Sequence, residues 1–277
     1  MGTLYVVATP IGNLEDISLR ALAVLRQVGL IAAEDTRRTR KLLNHYGIAT
    51  PVTSYYEHNK LVKLDYLIRT LAERDVAIVS EAGMPGISDP GYELIRAAIA
   101  ASINVVPIPG PSAVITALAV SGLPTDQFVF VGFLPRQRTA RRSRLLSLAT
   151  EARTIVAYEA PHRLTAALAD VHETMGNRRI CVARELTKIH EEILRGAVED
   201  VLHHFATVPP KGEITLVIAG ASGEVALAPD ESVRAELEAQ LEAGASGREA
   251  VERVAGLTGH PKKQVYRILL DLKRKSR

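Results

Sequence analysis

The sequence predicts an α/β protein with two α/β domains followed by a small helical appendage of helix-turn-helix-like type. Two observations lead to this fold class. Short apolar segments typical of buried strands alternate with amphipathic segments typical of helices, and several strand-like segments end in loops rich in glycine and proline. Near the carboxyl terminus only helical patterns remain. We therefore expect domains at residues 1–120, 121–225 and 230–277.

The first domain begins with a strand over residues 4–9 that ends in the loop 10–13. Asp16 or Ser18 is the predicted N-cap of the next helix, because both residue types accept hydrogen bonds from free helical N–H groups. The other predicted strands are 30–33, 76–79 and 105–108, and the other predicted helices are 38–46, 60–74, 92–99 and 112–120. This order favours a largely parallel sheet that is covered on both faces.

The loop over residues 80–91 is the most informative segment of the chain. It follows an apolar strand, holds three glycines and two prolines, and precedes an amphipathic helix. Ligands of open α/β sheets bind at the carboxyl ends of strands, where glycine lets the backbone approach a ligand closely. Similar loops follow the strands at 4–9 and 105–108. One such loop is an ordinary turn, but three in one domain indicate a ligand site.

The second domain follows a linker at residues 121–126. Its predicted strands are 128–131, 154–158, 179–183 and 213–219, and its predicted helices are 140–149, 163–175 and 198–206. A second linker is predicted at 221–230, followed by helices at 233–241, 247–257 and 262–272 with a turn at 256–261. A ligand site between two such α/β domains is a common arrangement.

Composition excludes several classes of protein. The 277 residues are 47% hydrophobic, which argues against global disorder, and the formal net charge is only +3. Cys181 is the only cysteine, so an internal disulfide is impossible, and no histidine lies in a zinc-binding motif. We expect no metal, no membrane segment and a cytoplasmic location. The sequence contains no Walker motif, and no GxGxxG follows the first strand.

Charged residues follow two predicted strands. Glu34, Asp35 and Arg37 come after one, and Arg184, Glu185 and Lys188 come after another. Such groups serve acid–base chemistry in a cleft, or form ordinary surface ion pairs. Basic residues also cluster at 136–144 and 262–277, where they either bind phosphates or form a solvated helix face.

Eight segments, in order over about residues 1–220, resemble the tetrapyrrole methylase superfamily. Within it they are most similar to the ribosomal RNA small subunit methyltransferase I branch. The segments are LYVVATPIGNLEDISLRAL (4–22), AAEDTR (32–37), VSEAGMPGISDPGY (79–92), PIPGPSAVITAL (107–118), SGLPTDQFVFVGFLPR (121–136), YEAPHRL (158–164), ARELTK (183–188) and KGEITLVIAG (211–220). The family usually has SDAGTP where this chain has SEAGMP, so Glu81 and Met84 are longer than the usual residues.

The resemblance implies an enzyme that uses S-adenosyl-L-methionine to methylate the 2′-hydroxyl of a cytidine in 16S ribosomal RNA of the 30S subunit. It also implies a homodimer with the cofactor in a cleft between the two α/β domains. The residues expected to line that cleft are Pro10, Ser80, Glu81, Ala82, Gly83, Met84, Ile87, Ser112, Ala113, Tyr158, Ala183, Gly212, Glu213 and Ile214.

Charge and loop position suggest how the hydroxyl proton is removed. We expect Asp35 or Glu185 to act as the base, with Arg37, Arg184 and Lys188 orienting RNA phosphates or the hydroxyl. Two alternatives stay open. One is a methyltransferase acting on a tetrapyrrole or another small molecule, and the other is a non-enzymatic ribosomal RNA-binding assembly factor that keeps the fold without turnover.

Overall fold

The structure is a computed structural model that describes residues 1–56, 60–89, 91–221, 230–242, 245–258 and 262–275. The chain divides into two compact units, Met1–Ala219 and Gly220–Arg277. Both sheets lie in the first unit, which fits two α/β sheets with helices as the sequence predicts. The boundary near residue 120 stays a prediction.

The first sheet has five parallel strands in the order β3-β2-β4-β1-β5. The strands are β1 (Thr3–Val7), β2 (Leu30–Ala33), β3 (Val52–Ser54), β4 (Val76–Val79) and β5 (Asn104–Ile108). The helices of this half are α1 (Leu19–Gln27), α2 (Thr36–His45), α3 (Lys60–Glu73), α4 (Tyr92–Ala100) and α5 (Ala113–Val120). The all-parallel pairing confirms the predicted sheet, whereas the three-residue edge strand β3 is absent from the prediction.

Local sequence explains these elements. The four residues of β2 and the four of β4 are all buried, as expected for central strands with helices on both faces. Separate apolar clusters cover the two faces of the sheet. Of the two predicted caps of α1, Ser18 is the one used, because its hydroxyl accepts a hydrogen bond from the N–H of Ala21.

The second sheet has the order β6-β7-β10-β8-β9. Its strands are β6 (Phe128–Phe133), β7 (Thr154–Glu159), β8 (Arg179–Arg184), β9 (Glu192–Ala197) and β10 (Ile214–Ile218). Its helices are α6 (Arg138–Ser147), α7 (Leu164–Met175) and α8 (Val198–Thr207). Only β6 and β7 pair in parallel, and the other pairs are antiparallel. The edge strand β9 was not predicted, because its charged and half-buried residues form no apolar run.

Ion pairs occupy much of the basic cluster that the sequence shows at residues 136–144. Arg141 lies 2.7 Å from the carboxylate of Asp170 on α7, with both side chains buried. Arg138 also contacts Asp170, and Arg142 pairs with Glu173. These three guanidinium groups therefore attach α6 to α7, while the remaining two arginines of the cluster, Arg136 and Arg144, are exposed.

The second unit contains three helices, α9 (Asp230–Glu242), α10 (Gly247–Thr258) and α11 (Lys262–Lys275). They pack around an apolar core of their own that includes Val233, Leu237, Val254 and Leu269. This confirms the helical appendage. Within the described ranges, no helix is long and apolar enough to cross a membrane. The predicted linker residues 222–229 and the turn residues 259–261 lie outside the described residues.

Candidate functional site

A cavity of about 350 Å³ lies between the two sheets of the first unit. Its walls come from the loop after β4, the start of α5, the ends of β7 and β8, and the residues leading into β10. The volume is within the range of about 300–1,000 Å³ that small-molecule sites occupy. The cavity therefore lies where the Gly/Pro loops of the sequence predict a ligand site.

The structure brings together most residues that the resemblance assigns to the cofactor. Those that line the cavity are Glu81, Ala82, Gly83, Met84, Ile87, Ser112, Ala113, Tyr158, Ala183, Gly212, Glu213 and Ile214. Pro10 and Ser80 lie instead in a recess of about 270 Å³, which shares Glu81 and Ala82 with the cavity. That any of these residues contacts a cofactor stays a prediction.

Backbone pairing holds the loops after β1 and β4 together. The N–H of Thr9 donates to the carbonyl of Gly83 at 2.9 Å, and the N–H of Gly83 donates to the carbonyl of Thr9 at 3.0 Å. The hydroxyl of Ser80 donates to the same Gly83 carbonyl at 3.2 Å. Gly83 has φ +84°, a conformation that favours glycine. The loop thus presents a fixed backbone surface to the cavity.

Several wall residues were not predicted from the sequence. They are Ile11, Asp89, Phe133, Glu159, Ala160, Pro161, Leu186 and Thr215. Ile11 and Asp89 lie in the Gly/Pro loops, so their position in those loops could have predicted that they line the cavity. No sequence feature predicts that Phe133 lines the cavity, because it lies at an irregularity in the pairing of β6 with β7. Its ring lies 5.3 Å from that of Tyr158.

The cavity combines apolar walls with carboxylates. Burial, together with the charge of Glu34, raises the pKa of Asp89 to about 7, against an opposing hydrogen bond from Ser80. Burial and the nearby charges of Asp89 and Glu213 raise the pKa of Tyr158 to about 12. The carboxylate of Glu213 and the apolar side chains of the wall suit a ligand that is positively charged and partly apolar.

Glu159 belongs to this wall, but its side chain is fully buried behind it. Its Oε1 accepts from the N–H of Ala160 at 2.7 Å and contacts Arg163 at 2.6 Å. Its Oε2 is buried and has no hydrogen-bond partner among the residues that the structure describes. Burial raises the pKa of Glu159, although Ala160 and Arg163 oppose that shift. Because this oxygen has almost no accessible surface, it is not open to a ligand in the cavity.

Asp35 lies at the start of α2 and does not line the cavity. It is the N-cap of that helix, since its Oδ1 accepts from the N–H groups of Arg37 at 2.8 Å and Arg38 at 3.3 Å. Hydrogen bonds from the side chain and backbone of Arg37 hold the pKa of Asp35 below its usual range. A carboxylate stabilised in its charged form is a poor proton acceptor.

Glu185 belongs to an ion-pair network at the rim of the cavity. Its Oε1 accepts from Lys188 Nζ at 2.8 Å and from the N–H of Glu213 at 2.9 Å. Burial opposes ionisation of Glu185, but these two hydrogen bonds outweigh it and lower its pKa. Lys188 also lies 3.3 Å from the carboxylate of Glu213, which lines the cavity. Arg184 points elsewhere, to Glu192 at 2.8 Å.

Positive charge is concentrated on α2 beside the cavity. We define the α2 basic surface as four residues of α2, Arg37, Arg38, Arg40 and Lys41, together with Lys188 from the loop after β8. Arg38 and Lys41 line the recess that adjoins the cavity, and Lys188 joins that recess to a further one. All four residues on α2 are exposed; Arg38 pairs with Glu81 at 2.6 Å and Arg37 with Asp35 at 3.3 Å. The surface thus leads from solvent to the cavity mouth.

Comparisons with known proteins agree with this architecture. The profile of the family described as Tetrapyrrole (Corrin/Porphyrin) Methylases matches residues 3–202. A protein of Halalkalibacterium halodurans named Ribosomal RNA small subunit methyltransferase I is 48% identical, covering 96% of this chain and 94% of the relative. A protein of Synechocystis sp. with the same name is 49% identical, covering 98% and 99%.

A third relative of that name, from Thermotoga maritima, is 51% identical and covers 79% of this chain with 99% of its own length. Among solved structures, the methyltransferase CobJ superposes with a TM-score of 0.61 at 20% identity, covering 80% of this chain and 95% of that one. Uroporphyrin-III-C-methyltransferase from Thermus thermophilus gives 0.55 at 21% identity, covering 80% and 96%. At these identities the structural likeness shows the fold alone.

Proposed function

The chain belongs to the tetrapyrrole methylase family and is a methyltransferase that uses S-adenosyl-L-methionine, and we propose that its acceptor is the 2′-hydroxyl of a cytidine in 16S ribosomal RNA. The observation that carries the proposal is the similarity, over nearly the whole chain, to relatives named Ribosomal RNA small subunit methyltransferase I. The basic surface beside the cavity supports a polyanionic acceptor. Such a substrate requires a cytoplasmic enzyme that meets the 30S subunit, and we further propose a homodimer, as the resemblance implies.

The residues of the cavity fit the methyl donor. When bound, S-adenosyl-L-methionine supplies an electrophilic methyl group on a positively charged sulfur. The carboxylate of Glu213, which lines the cavity, suits that charge. We propose that Gly83 and Ala113 border the donor through backbone and small side chains, which leave room for it.

Arg37 and Lys188 stay in the proposal as residues that orient the RNA, and Asp35 and Glu185, which the sequence suggests as the base, are proposed instead to position them. Asp35 fixes the first turn of α2, from which Arg37 projects with a side chain that is 89% exposed. Glu185 holds Lys188 at the rim of the cavity. We propose that this arrangement directs two cations toward the RNA backbone while the hydroxyl enters the cavity.

The helical appendage remains a proposed RNA-binding element. Lys262, Lys263 and Arg267 are exposed on α11. However, the Thermotoga maritima relative uses almost its whole length to match 79% of this chain, so about a fifth of this chain has no counterpart there. For that reason we place the main RNA contacts on the α2 basic surface of the first unit.

Replacing Arg40 and Lys41 together by alanine is expected to weaken binding of 16S RNA about tenfold. Loss of two phosphate contacts also reduces the slope of log affinity against log salt concentration by about 1.4, at about 0.7 per contact. Filter binding over a salt series measures both quantities. The matched control replaces Arg136 and Arg144, which removes the same charge from the α6 region and is expected to change the affinity less than about twofold. Equal effects from the two pairs would contradict the assignment of phosphate contacts to α2.

The proposed function is tested by methyl transfer from labelled S-adenosyl-L-methionine to 30S subunits that lack the ribose mark. Nuclease mapping is expected to locate the label in a 2′-O-methylcytidine of 16S RNA. Label on a base instead of a ribose would exclude 2′-O transfer. Label only on a tetrapyrrole would favour the small-molecule alternative, and donor binding without transfer to any of these would favour the assembly-factor alternative.

A further inference from the structure

We propose that Asp89 is the general base that accepts the proton of the ribose hydroxyl, an inference that rests on the proposed function. Asp89 lies in the loop that connects β4 to α4, and its side chain borders the cavity together with Met84, Ile87 and Tyr158. Neither Asp35 nor Glu185 has this position. Asp89 therefore borders the cavity that the proposed function assigns to the methyl donor.

The other carboxylates of the cavity are already paired with cations. Glu81 pairs with Arg38 at 2.6 Å, and Glu213 lies 3.3 Å from Lys188. Glu159 is held by Arg163, as described above. Each of these three carboxylates therefore has a cationic partner within ion-pair distance.

Asp89 differs because no cation of the described residues forms an ion pair with it. The groups that act on it are Ser80, Glu34 and Glu81, and across the cavity it faces Tyr158. Ser80 favours the charged form of Asp89, while Glu34 and Glu81 are negative and favour its protonated form. Arg38 neutralises part of the charge of Glu81.

The chemical consequence is a carboxylate that gains a proton readily. Burial and Glu34 raise its pKa to about 7, which is close to the pH at which a general base works best in a cytoplasmic enzyme. Tyr158, with a pKa of about 12, stays protonated at that pH and is not a competing base. The raised pKa values of Asp89 and Tyr158 both follow from the half-buried, acidic wall on which they lie.

The proposed step balances in atoms and charge. The proton of the 2′-hydroxyl moves to a carboxylate oxygen of Asp89 as the ribose oxygen forms a bond to the methyl carbon. The electron pair of the breaking carbon–sulfur bond returns to sulfur, which loses its positive charge. The products are a ribose methyl ether, a neutral thioether and protonated Asp89, which then releases its proton to water.

Asp89→Asn keeps the shape of the side chain and removes the base. We expect its single-turnover rate, at saturating donor and 30S subunits, to fall about 100-fold or more, the range that general bases contribute. Its dissociation constant for S-adenosyl-L-methionine, measured by calorimetry, is expected to stay within about threefold of wild type. An unchanged single-turnover rate overturns the proposal. A variant that binds the donor more weakly but transfers the methyl group at the wild-type rate overturns it as well.

Two further measurements do not depend on activity. Carbon NMR of protein labelled at aspartate carboxyls is expected to show a titration near pH 7 that disappears in Asp89→Asn. The variant should also gain thermal stability relative to wild type as pH rises from about 4 to 7. The sign follows because a carboxyl with a raised pKa in the folded state costs stability once it must ionise. A carboxyl that titrates near its usual pKa overturns the proposal.

Glu34→Gln is the matched control, since it removes a neighbouring negative charge and leaves Asp89 in place. The pH midpoint of the single-turnover rate is expected to move to lower pH, together with the NMR midpoint of Asp89. Failure of wild type to methylate 30S subunits would overturn the proposed function and this inference with it. Transfer by wild type that Asp89→Asn leaves undiminished would overturn the role of Asp89 alone.

Discussion

Replacing Asp170 by alanine is expected to lower the free energy of unfolding by about 3–5 kcal/mol, the cost of breaking a buried ion pair. The side chain of Asp170 is 1% exposed and that of Arg141 is 5% exposed, with their atoms 2.7 Å apart. The substitution leaves the guanidinium of Arg141 buried without its carboxylate. Urea unfolding followed by circular dichroism measures the change.

Glu173→Ala is the matched control on the same helix. Glu173 also pairs with arginines of α6, but its side chain is 45% exposed, so the expected loss is at most about 1 kcal/mol. A double variant, Asp170→Leu with Arg141→Met, is expected to recover much of the lost stability, because it leaves no buried charge. Equal losses from Asp170→Ala and Glu173→Ala would show that burial of the pair does not matter.

The ion pairs of the arginines in and beside α6 could not be predicted from the sequence. Read alone, five arginines within nine residues look like a phosphate-binding surface. Their carboxylate partners lie about thirty residues further on, in α7, and only the packing of the two helices brings them together. No local sequence pattern predicts such a pairing between distant residues.

The first sheet was the easier of the two to predict. The run Val76–Val79 is apolar throughout because helices cover both faces, and this pattern is visible in sequence. In contrast, β9 pairs only with β8 at an edge, and its residues are partly exposed. Strand direction in the second sheet depends on connections between distant segments, which apolar patterning does not encode.

In the candidate site, too, the sequence predicts some features and not others. Glycine and proline mark the loop that contains Gly83, and the structure places that loop in the cavity wall. The chemical state of each carboxylate depends on contacts between distant residues, such as the N–H of Glu213 with Glu185. Asp35 and Glu185 have the right charge for a base, but their hydrogen bonds lower their pKa values. Asp89 is distinguished by its place in the cavity wall, its burial and its acidic neighbours, none of which the local sequence shows.

Replacing Ala113 by tryptophan is expected to weaken binding of S-adenosyl-L-methionine about 100-fold or more, equivalent to about 2.7 kcal/mol. Ala113 is the first residue of α5, and its small side chain forms part of the cavity wall. A tryptophan there points into a space of about 350 Å³ and competes with the ligand for it. Calorimetry with the donor measures the loss of affinity, and thermal unfolding checks that the variant folds.

Ile115→Trp provides the comparison, because Ile115 lies two residues further along the same helix, is 53% exposed and does not line the cavity. Its donor affinity is expected to stay within about twofold of wild type. The two variants add the same side chain to one helix, so a difference between them reports the direction in which the side chain points. If both variants bind the donor as wild type does, the donor does not occupy this cavity. If only Ala113→Trp fails to bind, the wall formed by α5 borders the donor, in the same cavity that Asp89 lines.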